Sequence, residues 1–192
     1  MKYKQLFYNC SPEYINSISP DLSNEVIGTI LELPKRTRQS EINRDLFWLL
    51  GSRDWNYHSV PSGITETCPP ELGLSLYKDQ IVNGNKGELC ATSTTVGADW
   101  HSDFAKDFSG NLVQIEIQFG KVDLMFKDFC GFRLAYYERR LSLGIEIVMS
   151  NPGKYFAHRK NAISRMAYFD IARKTLTAIG LNCPIWLIGI EE

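Results

Sequence analysis

The chain has no pair of cysteines in a Cys-x-x-Cys spacing; Cys10, Cys68, Cys90, Cys130 and Cys183 are odd in number and scattered. That pattern supports neither a disulfide framework nor a zinc knuckle, and reduced, mostly buried thiols are expected. Long apolar runs are missing as well. None approaches the roughly 20 residues that cross a bilayer, so no membrane partner is expected. The start, MKYKQLFYNCSPEY, has no apolar core of a secretory signal, and a cytoplasmic location follows as the expectation. Charge of one sign is also lacking: 21 Lys and Arg stand against 22 Asp and Glu, a formal net charge of -1. Any surface for a polyanion must therefore be local. Histidine is scarce, and His58, His101 and His158 have no ligand spacing with the cysteines, which argues against zinc. No repeat or low-complexity tract appears. What is present is 44% hydrophobic residues over 192 positions, enough for one domain spanning 1–192 with a core of its own.

Along the chain, SISPDLSNEV predicts a first helix, with Pro20 suited to its first turn, Leu22, Val26, Ile30 and Leu33 on one face, and Pro34 as its end. A second helix follows with Ser40 as its cap, Ile42, Leu46, Leu49 and Leu50 as its stripe and Gly51 as its stop. Residues 1–55 thus read as N-terminal helices. Residues 56 to 98, with Pro61, Pro69, Pro70 and many glycines, read as irregular with a few short strands. The catalytic core is expected over 99–192. SDFAKDFSGNLVQIEIQFG predicts a hairpin turning at Ser109-Gly110, and residues 122 to 141 a helix with Met125, Phe129, Phe132 and Tyr136 in phase. LGIEIVMS is a strand, 161 to 179 a helix with Met166, Phe169, Ala172, Leu176 and Ile179 in phase, and CPIWLIGIE a last strand. Strands alternating with helices give an α/β class, a central mixed sheet flanked by helices.

Within the hairpin, QIEIQFGK places Glu116 and Gln118 two apart, on one face of an otherwise apolar strand. Counting outward from Ser109-Gly110 sets Asp103 opposite Glu116, with Phe104, Ala105, Ile115 and Ile117 expected on the other face. Carboxylates directly opposite one another repel unless a cation lies between them. Oxygen donors select a hard ion, and few carboxylates with room for water and phosphate suit Mg²⁺. The alternative is a solvated acidic face, which hairpins commonly carry.

DFAKD with LVQIEIQFGK, then LGIEI and PIWLIGIE, resembles the BglII/BstYI family of type II restriction endonucleases, whose strand carries an E-x-Q-F motif in a PD-(D/E)xK nuclease core. The resemblance covers the second half well and INRDLF to DW more weakly. It implies a phosphodiester hydrolase that cuts a short palindromic site in double-stranded DNA, with a GATC core hinted, acting as a homodimer with Mg²⁺. Asp103, Glu116 and Gln118 would be catalytic, with Asp103, Glu116 and the carbonyl of Ile117 holding the metal. Gln118 stands where most such nucleases carry Lys, so it orients water by hydrogen bonding without adding charge. Displacement at phosphorus by water, with no covalent enzyme intermediate, is the implied mechanism. The chain departs from the family in hairpin length. The family's Asp stands closer to its Glu, at the spacing Asp107 has here, whereas turn chemistry selects Asp103.

Lys121 falls where the family places groove-reading residues. In KYFAHRKNAISRM, Lys154, Lys160 and Arg165 with interleaved aromatics suit phosphate contacts, and Asn161 and Ser164 suit base edges. A charged helix start is the bland alternative there. A repair nuclease with another substrate, or a non-catalytic DNA-binding module in which Glu116 and Gln118 only complete a polar network, stay open at this level.

Overall fold

The computed structural model describes residues 1–84, 87–96, 99–155 and 165–191. Six strands form one sheet in the order β1-β6-β5-β4-β3-β2. They are β1 (Lys2–Tyr8), β2 (Asn56–Tyr57), β3 (Phe104–Phe108), β4 (Asn111–Ile117), β5 (Leu141–Met149) and β6 (Ile185–Glu191). The contiguous trio β4-β5-β6 is parallel, and the flanking pairs β1-β6, β3-β4 and β2-β3 are antiparallel. This is the mixed α/β sheet expected, consistent with a restriction-endonuclease fold.

Parallel strands need long crossovers, and two helices supply them: α5 (Val122–Tyr137) joins β4 to β5, and α7 (Phe169–Ile179) lies between β5 and β6. Both cover one face, where Met125, Phe129 and Phe132 of α5 and Ala172 and Leu176 of α7 pack with Val148, Ile185 and Leu187. The other face is covered by α1 (Pro12–Ile18), α2 (Leu22–Glu32) and α3 (Gln39–Gly51). There Ile15, Val26, Ile30, Ile42, Leu46 and Leu49 meet Leu143, Ile145, Ile147, Trp186 and Ile188. A sheet covered on both faces has strands that are apolar nearly throughout, as β5 and β6 are. The short helices α4 (Lys78–Gly84) and α6 (Pro152–Tyr155) complete the α-helices among the described residues. No helix among the described residues is long and apolar enough to cross a membrane.

Several expectations are corrected. Residues 2–8 are a strand, not part of a helical segment, and pair along their whole length with β6. Helix α1 and the short α4 were not expected. Ser40 lies inside α3, whose N-cap is Arg38, and Pro20 sits before α2, whose N-cap is Asp21. Tyr136 is exposed, because Ala135 takes the next buried position on α5 after Phe132. Helix α7 begins at Phe169, later than the expected 161; Met166 instead forms an isolated bridge with Lys121.

Polar anchors fix the hairpin to the helical layer. The ammonium of Lys106, on β3, donates to both carboxylate oxygens of Glu25 at 2.9 Å and to the carbonyl of Arg53 at 2.8 Å. The indole of Trp55 donates to the same Glu25 at 2.9 Å. At the far end of β4, the Gln39 amide donates to the carbonyl of Phe119, tying the start of α3 to the chain just beyond Gln118. Between α5 and the sheet the fit is close. A Cβ at Gly144 would stand 2.7 to 2.9 Å from ring atoms of Phe132, which is itself fully buried. Gly144→Ala should therefore cost about 1–3 kcal/mol by overpacking, read as a lower urea midpoint with an unchanged slope. A midpoint equal to the parent's would show that α5 can shift freely on the sheet.

Candidate active site

The β3-β4 hairpin turns at Ser109 and Gly110 with φ of +54° and +90°, the two positive values that a tight two-residue hairpin turn needs. Asp107, at the tip, accepts from the Gly110 N–H at 2.8 Å and is exposed. The register then runs from Phe108 opposite Asn111 to Phe104 opposite Ile115. One step further, Asp103 meets Glu116. The Asp103 N–H donates to Glu116 Oε2 at 3.3 Å, and the Ile117 N–H donates to Asp103 Oδ2 at 2.9 Å. The Glu116 carboxylate is thus held by the amide of Asp103, and the Asp103 carboxylate by the amide of Ile117, the residue after Glu116, and both keep carboxylate lone pairs available. Phe104 and Ile115 lie on the opposite face, as expected, in the core beneath α1 to α3. Ala105 does not: strand alternation puts it beside Gln114 on the carboxylate face, in a small cluster with Cys90 and Leu112. That face is closed near the turn, where the Gln114 amide donates to the carbonyls of Leu89 at 3.0 Å and Ala91 at 3.1 Å.

Gln118 follows the end of β4, its N–H donating to the carbonyl of Ile147 at 2.9 Å. Its side-chain Nε2 donates to Asp128 Oδ2 on α5 at 3.1 Å, and its Oε1 accepts from the Gly120 N–H at 2.8 Å. Glu146 is the β5 neighbour of Glu116 in the parallel register. It is fully buried, and neither carboxylate oxygen has a hydrogen-bond partner among the described residues. Asp128 and Glu146 were missed in the sequence, although each shows the anomaly that marks Glu116: an acid within an apolar pattern, LGIEI for one and the Met125-Phe129-Phe132 stripe for the other.

Crowding sets the electrostatics. Burial, and then the charges of Asp103 and Asp128, push Glu116 well above the usual carboxylate range. Burial, followed by Asp128, Glu116 and Asp103, does the same for Glu146. Asp128 is pushed up to about 6, mainly by burial, with the Gln118 hydrogen bond pulling the other way. Asp103 is also raised to about 6 by the protein packed around its carboxylate, against the pull of the Ile117 N–H. As a residue Asp103 remains open to solvent, whereas Glu116 and Glu146 are closed to it. Lys127, next to Asp128 on α5, lowers Asp103, Glu116 and Asp128.

Among the described residues no group of three or more His, Cys, Asp or Glu side chains could hold a metal ion by itself. A cation here would rest on fewer side chains, completed by main chain, water and substrate. The donor chemistry fits one: all oxygen, crowded with negative charge, and with an orphaned buried carboxylate behind it.

Beside Asp103, the rings of His58 and His101 stack 4.1 Å apart, and the backbone N–H of His58 donates to the Asp103 carbonyl at 3.0 Å. His101 Nδ1 is 3.2 Å from Asp99. Nothing in the sequence signals that His101 pairs with His58. Of the expected DNA-binding residues, Lys121 is exposed at the N-cap of α5, and its bridge to Met166 brings Arg165, also exposed, to the same end of β4. Lys154 lies in α6 with its side chain outside the described residues, as are Lys160, Asn161 and Ser164.

A raised carboxyl binds its proton more tightly folded than unfolded. Stability from protonation is full below the unfolded pKa and is lost as pH rises through the folded value, about 6 for Asp103 and Asp128. Without divalent cations, unfolding free energy should fall as pH rises from about 5 to about 8. A profile that is flat or rises over that window, measured by urea titration in EDTA, would contradict the crowding.

The restriction endonuclease BglII/BglIII family model matches residues 3–190, nearly the whole chain. No curated protein matches it. With this match added to the E-x-Q strand, the paired Asp103 and the mixed sheet, the chain belongs to the BglII/BglIII restriction endonuclease family and is a type II restriction endonuclease, a hydrolase acting on DNA.

Proposed function

We propose that the protein is a Mg²⁺-dependent endonuclease that acts in the cytoplasm, as a homodimer, on a short palindromic duplex sequence, with a GATC core as the first to test. The observation that carries this reading is the pair of amide-to-carboxylate hydrogen bonds that link Asp103 with Glu116 and Ile117 across the hairpin, with Gln118 two residues beyond Glu116. Asp103, Glu116 and the carbonyl of Ile117 would hold the cation. When bound, a divalent cation lowers the pKa of water and offsets the charge that develops at phosphorus. The chain's own residues do the rest. Gln118 hydrogen-bonds the attacking water without adding charge, and the closed face around Glu146 and Gln114 keeps bulk water from behind the site. Water attacks phosphorus directly, and the bond to the leaving sugar oxygen breaks with no covalent enzyme intermediate. Lys121 and Arg165 meet the duplex at the open end of β4, with Lys154 and Lys160 adding phosphate contacts and Asn161 and Ser164 reading base edges. A two-fold dimer matches the two strands of a palindrome.

Incubation with phage or plasmid DNA and Mg²⁺ should yield discrete ends whose sequences give the site. EDTA should abolish cleavage, Ca²⁺ should support binding without turnover, and Glu116→Ala should bind but not cut. Efficient cleavage in EDTA, or by Glu116→Ala, would remove this assignment.

Register and family spacing make opposite forecasts for the second carboxylate. Asp103→Asn should be inactive at saturating Mg²⁺. Asp107→Asn should be nearly normal, because an Asn side chain can still accept from the Gly110 N–H at the hairpin tip. Inactivity of Asp107→Asn with an active Asp103→Asn would transfer the ligand role to the tip.

A further inference from the structure

The amide of Gln118 is held at both ends by groups of opposite character. Gly120 offers an N–H, which only donates, and Oε1 accepts it at 2.8 Å. Asp128 offers a carboxylate, which accepts Nε2–H at 3.1 Å. Flipping the amide would set donor against donor and acceptor against acceptor, so chemistry fixes which end is which. Space is reserved for this arrangement. A Cβ at Gly120 would stand 2.8 Å from Gln118 Oε1, and Gly120 does not adopt a positive φ, so room rather than backbone conformation accounts for the glycine. Lysine at position 118 has no acceptor for the Gly120 N–H, and glutamate would set a second carboxylate against Asp128. The pocket is built for a carboxamide.

We propose that Asp128 and Gly120 form a clamp that presents the one remaining N–H and the free Oε1 lone pair of Gln118, in a fixed direction, to the attacking water; Asp128 is then a positioning residue. The catalytic part of this inference rests on the nuclease reading above, and the clamp itself does not.

Two measurements separate them. In protein labelled with ¹⁵N-glutamine, with the side-chain signal assigned through Gln118→Leu, the two Gln118 amide protons should be widely split and slow to exchange. Asp128→Ala and Gly120→Ala should collapse that splitting, and Asp128→Asn, which keeps an acceptor, should retain it. In single-turnover digestion of phage DNA, Asp128→Ala and Gly120→Ala should cut about 10-fold more slowly with an unchanged half-saturating Mg²⁺ concentration, while Asp128→Asn stays within about 3-fold of the parent. If Asp128→Ala fails to fold, Gly120→Ala carries the test, since its new methyl meets only the end of a flexible side chain. An amide spectrum unmoved by the Ala variants overturns the clamp whether or not any DNA is cut. Loss of cleavage in Asp128→Asn with a raised Mg²⁺ requirement also overturns it, by making Asp128 a cation ligand. A parent protein that cuts no DNA overturns the nuclease reading and leaves the amide spectrum to decide the clamp.

Discussion

The register of β3 against β4 is the constraint on which the site depends. A slip of one residue would turn Asp103 to the apolar layer beneath the sheet and bring Phe104 to the carboxylate face. Three independent features prevent it. The turn needs two adjacent positive φ values, and Gly110 supplies one without strain. Lys106 is pinned from below by Glu25 and the Arg53 carbonyl. Gln114 is pinned from above by the carbonyls of Leu89 and Ala91. Because one pin holds β3 and the other β4, a slip would break at least one, leaving the half-buried ammonium of Lys106 or the buried amide of Gln114 without its partners.

That register sets Asp103 and Glu116 near Asp128 and Glu146, and three of the four, Glu116, Asp128 and Glu146, are buried. Like charges crowded in this way cannot all ionise without compensation, which protons or cations supply. Lys127 compensates in part. The rest makes the site intrinsically unfavourable for the charged, cation-free chain, and the surrounding layers must hold it in place. They can do so because β5, apart from Glu146, and β6 are largely apolar on both faces and closed by helices on each side. The strain is local to one end of a sheet whose remainder is well packed.

Legibility in the sequence followed the range of the interactions. The hairpin, its turn and its register could be read because they depend on neighbours within about a dozen residues, as could the buried stripes of α2, α3 and α5. Strand β1 could not be read. Its burial alternates poorly, and its partner, β6, lies at the other end of the chain. The stacking of His58 on His101 and the tie from Gln39 to Phe119 are long-range in the same sense. Ser40 had the chemistry of a cap, but the chain enters the helix at Arg38, a two-residue error of the kind that local propensity permits. Asp128 and Glu146 were legible in principle. Glu146 interrupts a run that a parallel, doubly covered strand should keep apolar, the same anomaly that singled out Glu116.

A glutamine at position 118 would separate two tasks that the ammonium of a lysine would combine. On the present reading, orientation of water falls to a neutral amide, and positive charge comes from the cation and from Lys127, which acts from α5 on Asp103, Glu116 and Asp128. The separation has a consequence for pH. A carboxamide does not titrate, so the direction of its N–H is unaffected over the range in which Asp103 and Asp128 change charge. Even a protonated Asp128 keeps a carbonyl oxygen to accept from Nε2. On that reading protons would act on this site by competing with the cation for carboxylate oxygens, while the hydrogen bonds that hold the Gln118 amide stay assembled.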